Sequence, residues 1–172
     1  KCHNEKVQVF NTLEWLYWIV VGLCVVLTYL QADVITEKWL GMQSHTSNET
    51  TYFLRIIILD AGLQLVMRFY VGGLLGLEKQ VKANVYLVAW GIVRNGFVIF
   101  ALSAVPTLEV FFVWQVIVSA IFAVFARGAL CNELTGTYFH FEPKIHKFIL
   151  LEVWRFAAGM FFIALVAGVN SQ

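Results

Sequence analysis

Three polar side chains stand inside an otherwise apolar run, TYFLRIIILDAGLQLVMRFYVGGLLG, residues 51–76: Asp60, Gln64 and Arg68. Spaced by four, they stack along one face of a helix. A carboxylate, an amide and a guanidinium in that order form either an internal polar ladder or one wall of a cavity for a charged solute or a coupling ion. Asp60 and Arg68 are two turns apart, so a direct pair between them needs a bridging group. Arg94, almost at the midpoint of the next apolar run, is the second candidate. A guanidinium in hydrocarbon needs an anion. Asp60 is one such partner. A phosphate is the other, because the guanidinium fork binds phosphate bidentately. Arg55, Arg68 and Arg94 against Asp60 leave an excess of two positive charges, which favours an anionic head group as guest. Arg55 lies nearer a surface, and snorkelling is its simpler reading.

The remaining polar residues carry weaker signals. Gln115 and Ser119, at i and i+4, line the same cavity or bond between helices, the second being more usual. Glu14, Glu109 and Glu152 sit near helix starts, where a carboxylate is favourable in any case. His140 and His146 read as solvated loop residues. Phe111, Phe112, Trp114, Phe161 and Phe162 read as lipid-facing or packing side chains. Asn48-Glu49-Thr50 matches a glycosylation sequon, a match frequent by chance. The cysteines, Cys2, Cys24 and Cys131, give no disulfide framework and no metal spacing. No nucleophile elbow, P-loop, dinucleotide fingerprint or HExxH occurs.

These residues must be positioned by membrane helices. The chain has 172 residues, 60% of them hydrophobic and 13% charged, with a mean hydropathy of +0.75. A water-soluble domain is nearer half apolar and a quarter charged. The apolar residues come in long blocks, twice the length of a barrel strand, so the expected fold is all-α and polytopic. A net charge of +1 gives no reason to expect a nucleic-acid partner. Five spans are expected, near 13–30, 51–76, 81–104, 108–130 and 148–172. Trp15, Tyr17 and Trp18 suit an interfacial belt at the start of the first. Residues 31–50 read as a polar loop, with Trp39, Leu40 and Met42 dipping onto the membrane surface and Ser44 to Thr50 exposed. Gly72 and Gly76 form a GxxxG pair that permits close helix contact. Pro106 breaks the chain and Thr107 caps the next helix.

Residues 51–76 are the most demanding of these spans. As a helix they extend about 39 Å. Their thirteen Leu, Ile, Val and Phe residues favour insertion by about 6 kcal/mol in all. Asp60 and Arg68 oppose it by about 2.5–3.5 kcal/mol each, so the sum is near zero. Such a helix is stable only with its polar face against other helices or a wet cavity. Lys and Arg bias between the loops places Lys1 on the cytoplasmic side and residues 31–50 outside. The chain begins without Met and stops within apolar sequence, so it reads as an internal fragment of a longer protein.

The segments NTLEWLYWIVVGL, LQLVMRFYVGGLLGLEKQVKANV, VRNG, PTLEVFFVWQVIVSA and LLEVWRFAAGM, in that order and spacing, resemble the bacterial polysaccharide (O-antigen type) flippases of the multidrug/oligosaccharidyl-lipid/polysaccharide exporter superfamily. The resemblance covers nearly all of the chain. It implies a two-lobed protein of about twelve or more spans, of which these would be the third to the seventh. Residues 1–130 would then belong to the first lobe, 131–147 to the cytoplasmic connection, and 148–172 to the first helix of the second lobe. The resemblance further implies a non-enzymatic transporter of the inner membrane, carrying undecaprenyl-pyrophosphate-linked oligosaccharide outward by alternating access. Membrane lipids and polysaccharide polymerase machinery are the implied neighbours. Arg68, Arg94, Gln64, Asn95 and, at the lobe boundary, Arg155 are the implied cavity residues. No cofactor is implied beyond a Na⁺ or H⁺ gradient, for which Asp60 is the deep carboxylate. A cation or drug exporter of the same superfamily, a membrane enzyme acting on polyprenyl-phosphate sugars, and a structural subunit of a membrane complex are the alternatives.

Overall fold

The computed structural model describes residues 2–38 and 44–136. They are helical throughout, with no strand. The helices are α1 (Cys2–Leu30), α2 (Ala32–Lys38), α3 (Ser44–Gly76), α4 (Gln80–Gly91), a π-helical segment (Ile92–Gly96), α5 (Val98–Ala104) and α6 (Leu108–Thr135). The chain divides into two compact units, and of the first only the opening turns of α1, up to Tyr17, are described. The second, Trp18–His140, holds the rest of α1 and the later helices among the described residues.

Among the described residues, three helices are long and apolar enough to cross a membrane: Val7–Leu30, Gln80–Ala104 and Leu108–Thr135. They overlap the first, third and fourth expected spans, but α1 begins at Cys2 rather than near 13, so Glu14 lies buried in mid-helix and not at a helix start. The fifth span with Glu152 and Arg155, the connection residues His140 and His146, and Trp39, Leu40 and Met42 lie outside the described residues. α3 is long, with 33 residues, but is not among the three. Its start also differs from expectation. Residues 44–50 are helical and continuous with α3, and residues 32–38 form a helix of their own. The described parts of 31–50 are therefore helix rather than loop. Within α2, Thr36 is fully buried and bonds back to the Ala32 carbonyl at 2.9 Å.

α3 is the central helix. It packs along α6 for most of its length and also against α2 and α4. Its inner face buries Ile58, Val66, Met67, Tyr70, Val71 and Leu74. On the α1 side, Trp18 Nε1 donates to the Tyr70 hydroxyl at 3.0 Å. Outward, Ile19, Leu23 and Leu30 of α1, Val81, Val85 and Val88 of α4, and Ile99 and Phe100 of α5 are exposed. An apolar exterior this broad suits hydrocarbon rather than water.

The connections obey local rules. α3 ends in a Schellman motif: Lys79 N–H donates to the Leu74 carbonyl and Glu78 N–H to that of Leu75. Glu78 occupies the left-handed position there, with φ 62°. Thr107 caps α6, its side chain accepting from Val110 N–H at 3.3 Å. Gly136 closes α6 with φ 71°.

The close approach between α3 and α6 is not at Gly72 or Gly76, both of which face open space. It is at Gly73, where a Cβ would lie 2.6 Å from Leu130 Cδ2. A one-residue step around a helix is about 100°, so the GxxxG pair points away from the contact that its neighbour makes. Gly73→Val is therefore expected to lower stability by about 1–3 kcal/mol, whereas Gly72→Val stays within about 0.5 kcal/mol. Thermal unfolding of the purified variants in one detergent checks this, and Leu130→Ala should restore part of the loss in the Gly73→Val background.

Candidate functional site

The chemistry-bearing residues of α3, the π segment and α6 meet at one place. Arg94 grips Asp60 with both arms of its fork, Nη1 to Oδ1 at 3.1 Å and Nη2 to Oδ2 at 2.7 Å. Ser119 donates to Asp60 Oδ1 at 2.6 Å and accepts from Arg94 Nη1 at 2.8 Å. Gln64 Nε2 donates to Asp60 Oδ2 at 2.8 Å. The carboxylate thus receives four hydrogen bonds, two on each oxygen, which uses its acceptor capacity. Its side chain is 9% exposed and that of Arg94 15%. The guanidinium carbon also stands 5.1 Å from the centroid of the Trp90 ring, one turn earlier on α4.

Arg94 is held by a backbone irregularity. Phe97 N–H reaches back five residues to the Ile92 carbonyl at 3.3 Å, which makes the turn π rather than α. The local sequence favours the break. Gly91 and Gly96 flank it, and the Asn95 amide bonds back to the Gly91 carbonyl at 3.1 Å. The Val93 carbonyl, which an α-helix would pair with Phe97, instead accepts from Trp114 Nε1 at 3.3 Å. Gln115 Nε2 donates to the Arg94 carbonyl at the same distance. Side chains of α6 therefore satisfy the carbonyls of the π segment, and the segment in turn aims Arg94 at α3.

The expected cavity residues separate into two groups. Asp60, Gln64 and Arg94 are joined, and Gln115 and Ser119 join them from α6. Asn95 is exposed and engaged with its own backbone. Arg68 is exposed and has no ion-pair or hydrogen-bond partner among the described residues. Arg55 pairs with Asp33 of α2 at 2.9 Å and stacks 5.2 Å from the Tyr29 ring centroid. Of the three arginines first set against Asp60 alone, only Arg68 is left unanswered, so the expected excess of two charges falls to one. Trp90 is an addition that the sequence reading does not contain, and Trp114, read there as a lipid-facing or packing side chain, proves to be a hydrogen-bond donor to the π turn. Trp90 is discoverable from its i, i+4 relation to Arg94; nothing in the sequence marks Trp114 as a hydrogen-bond donor to a π turn.

Two further clusters frame the bundle ends. Glu133 of α6 accepts from both Lys79, at 3.1 Å, and Lys82. At the opposite end Tyr52 donates to Glu109 at 2.9 Å and Phe53 stacks on Phe112 at 5.6 Å. There an open cavity of about 480 Å³ is lined by Glu49, Tyr52, Phe53, Thr107, Leu108 and Glu109. The described residues hold no group of His, Cys, Asp or Glu able to bind a metal ion. No protein-family model, curated protein or solved structure matches this chain.

Breaking the central pair leaves a buried charge uncompensated. Arg94→Ala and Asp60→Ala are each expected to destabilise the protein by about 3–5 kcal/mol. Ser119→Ala, which removes one interhelical hydroxyl, should cost only about 0.6–1.7 kcal/mol. In a double-mutant cycle on unfolding in mixed micelles, Asp60→Asn with Arg94→Met should recover most of the loss of either single change.

Proposed function

We propose that the chain is part of a helical transporter that moves an anionic, lipid-linked oligosaccharide across the inner membrane by alternating access, with the Lys1 end cytoplasmic. One observation carries this reading: Arg68 is a guanidinium without a counter-ion among the described residues, on a helix of membrane-crossing length. Such a charge is costly in hydrocarbon and calls for an anion. A phosphate or acidic sugar on the guest would supply it. The π interruption beside a charged network adds support, since transporters place broken helices at their midplane sites. The collinear resemblance of the sequence to the polysaccharide flippases names the cargo. In this proposal Arg94 has changed role. Its fork is occupied by Asp60, so it ties helices together and leaves Arg68 to meet the guest.

A second reading, a structural membrane subunit, is favoured by the complete satisfaction of Asp60, which would then be helix-to-helix adhesive only.

The two separate by complementation of a flippase-deficient strain with the full-length gene. Arg68→Ala should cut surface polysaccharide about tenfold or more, the worth of one charge-assisted hydrogen bond, at unchanged protein abundance. Arg68→Lys should retain part of the activity. Unchanged polysaccharide with Arg68→Ala would favour the structural subunit.

A further inference from the structure

Two buried polar atoms beside Arg94 have no hydrogen-bond partner: Gln115 Oε1, on a side chain 4% exposed, and Trp90 Nε1. Both belong to residues that touch the arginine directly. The Gln115 amide nitrogen holds the Arg94 carbonyl, and the Trp90 ring lies under the guanidinium. Rotating the Gln115 amide by half a turn gives no remedy. It would set Oε1 against the Arg94 carbonyl oxygen, acceptor against acceptor. One unmet acceptor and one unmet donor thus flank the same residue on the α4 and α6 side of the network.

We propose that both atoms are hydrated: water donates to Gln115 Oε1 and accepts from Trp90 Nε1, on the two residues that touch Arg94. The guest must be neutral, since Asp60 and Arg94 already balance each other and Asp60 has no acceptor site to spare. It must both donate and accept, and be small enough for a place between packed helices. Water is the molecule that buried polar atoms of this kind recruit. Asp60 itself needs no water, because Gln64 of α3 and Ser119 of α6 already complete its hydrogen bonds with Arg94. The site stands independently of the cargo, and its readout requires no transport.

The test is solid-state NMR of the unaltered protein in bilayers. The indole proton, assigned by its loss in Trp90→Phe, should receive magnetisation from water, and an indole silent toward water would overturn the proposal.

Discussion

A carboxylate and a guanidinium facing each other inside a bundle set the terms for everything around them. Each ion alone would make its helix unfit for hydrocarbon; together, and with four hydrogen bonds on Asp60, they become a neutral polar plug between α3 and the π segment. α3 carries Asp60 at the centre of the bundle because Arg94 of the π segment and Ser119 of α6 satisfy it there, whereas Arg68 on the same helix stays exposed. The adjoining features serve that meeting. Ser119 is small and fully buried so that its hydroxyl reaches both ions. Gly73 lets Leu130 close the lower part of the α3–α6 seam.

The π segment is where geometry was bent to make the pair possible. A π turn inserts an extra residue into the helix and disturbs the ladder, which is unfavourable unless the freed carbonyls find partners. They find Trp114 and Gln115, both from α6. Backbone irregularity at this depth is tolerated only where protein or water covers it, and here protein covers it. The same helix that hydrogen-bonds the irregular backbone also contributes Ser119 to the ions, so α6 fixes the position and the electrostatics of Arg94 together.

Much of this was legible in the residues. Blocks of Leu, Val, Ile and Phe gave the all-α membrane class, and Pro106 with Thr107 gave the start of α6. The spacing of Asp60, Gln64 and Arg68 marked one face, and Asp60 was among the possible partners of Arg94. What periodicity could not tell was which partner wins. That depends on the rotation of α4–α5 about its axis, which the π turn shifts and which no i, i+4 rule anticipates. The misplaced glycine contact has a separate cause, the rotation of α3 itself: GxxxG describes a face of that helix, but not the face that meets α6. Residues 44–50 misled because their polar side chains resemble a loop, while continuity with a long helix stabilises them regardless of composition.

The clasp of Lys79 and Lys82 on Glu133 has an implication in time as well as space. Glu133 follows Lys82 by 51 residues. At synthesis rates of about 5–20 residues per second, both ammonium groups exist for roughly 3–10 s before their carboxylate is made. During that interval the turn presents bare positive charge to the insertion machinery, which weighs Lys and Arg and largely disregards Asp and Glu. Once α6 arrives the same groups are absorbed into a clasp. Two lysines thus wait without this carboxylate on the nascent chain and become a fastening in the finished one.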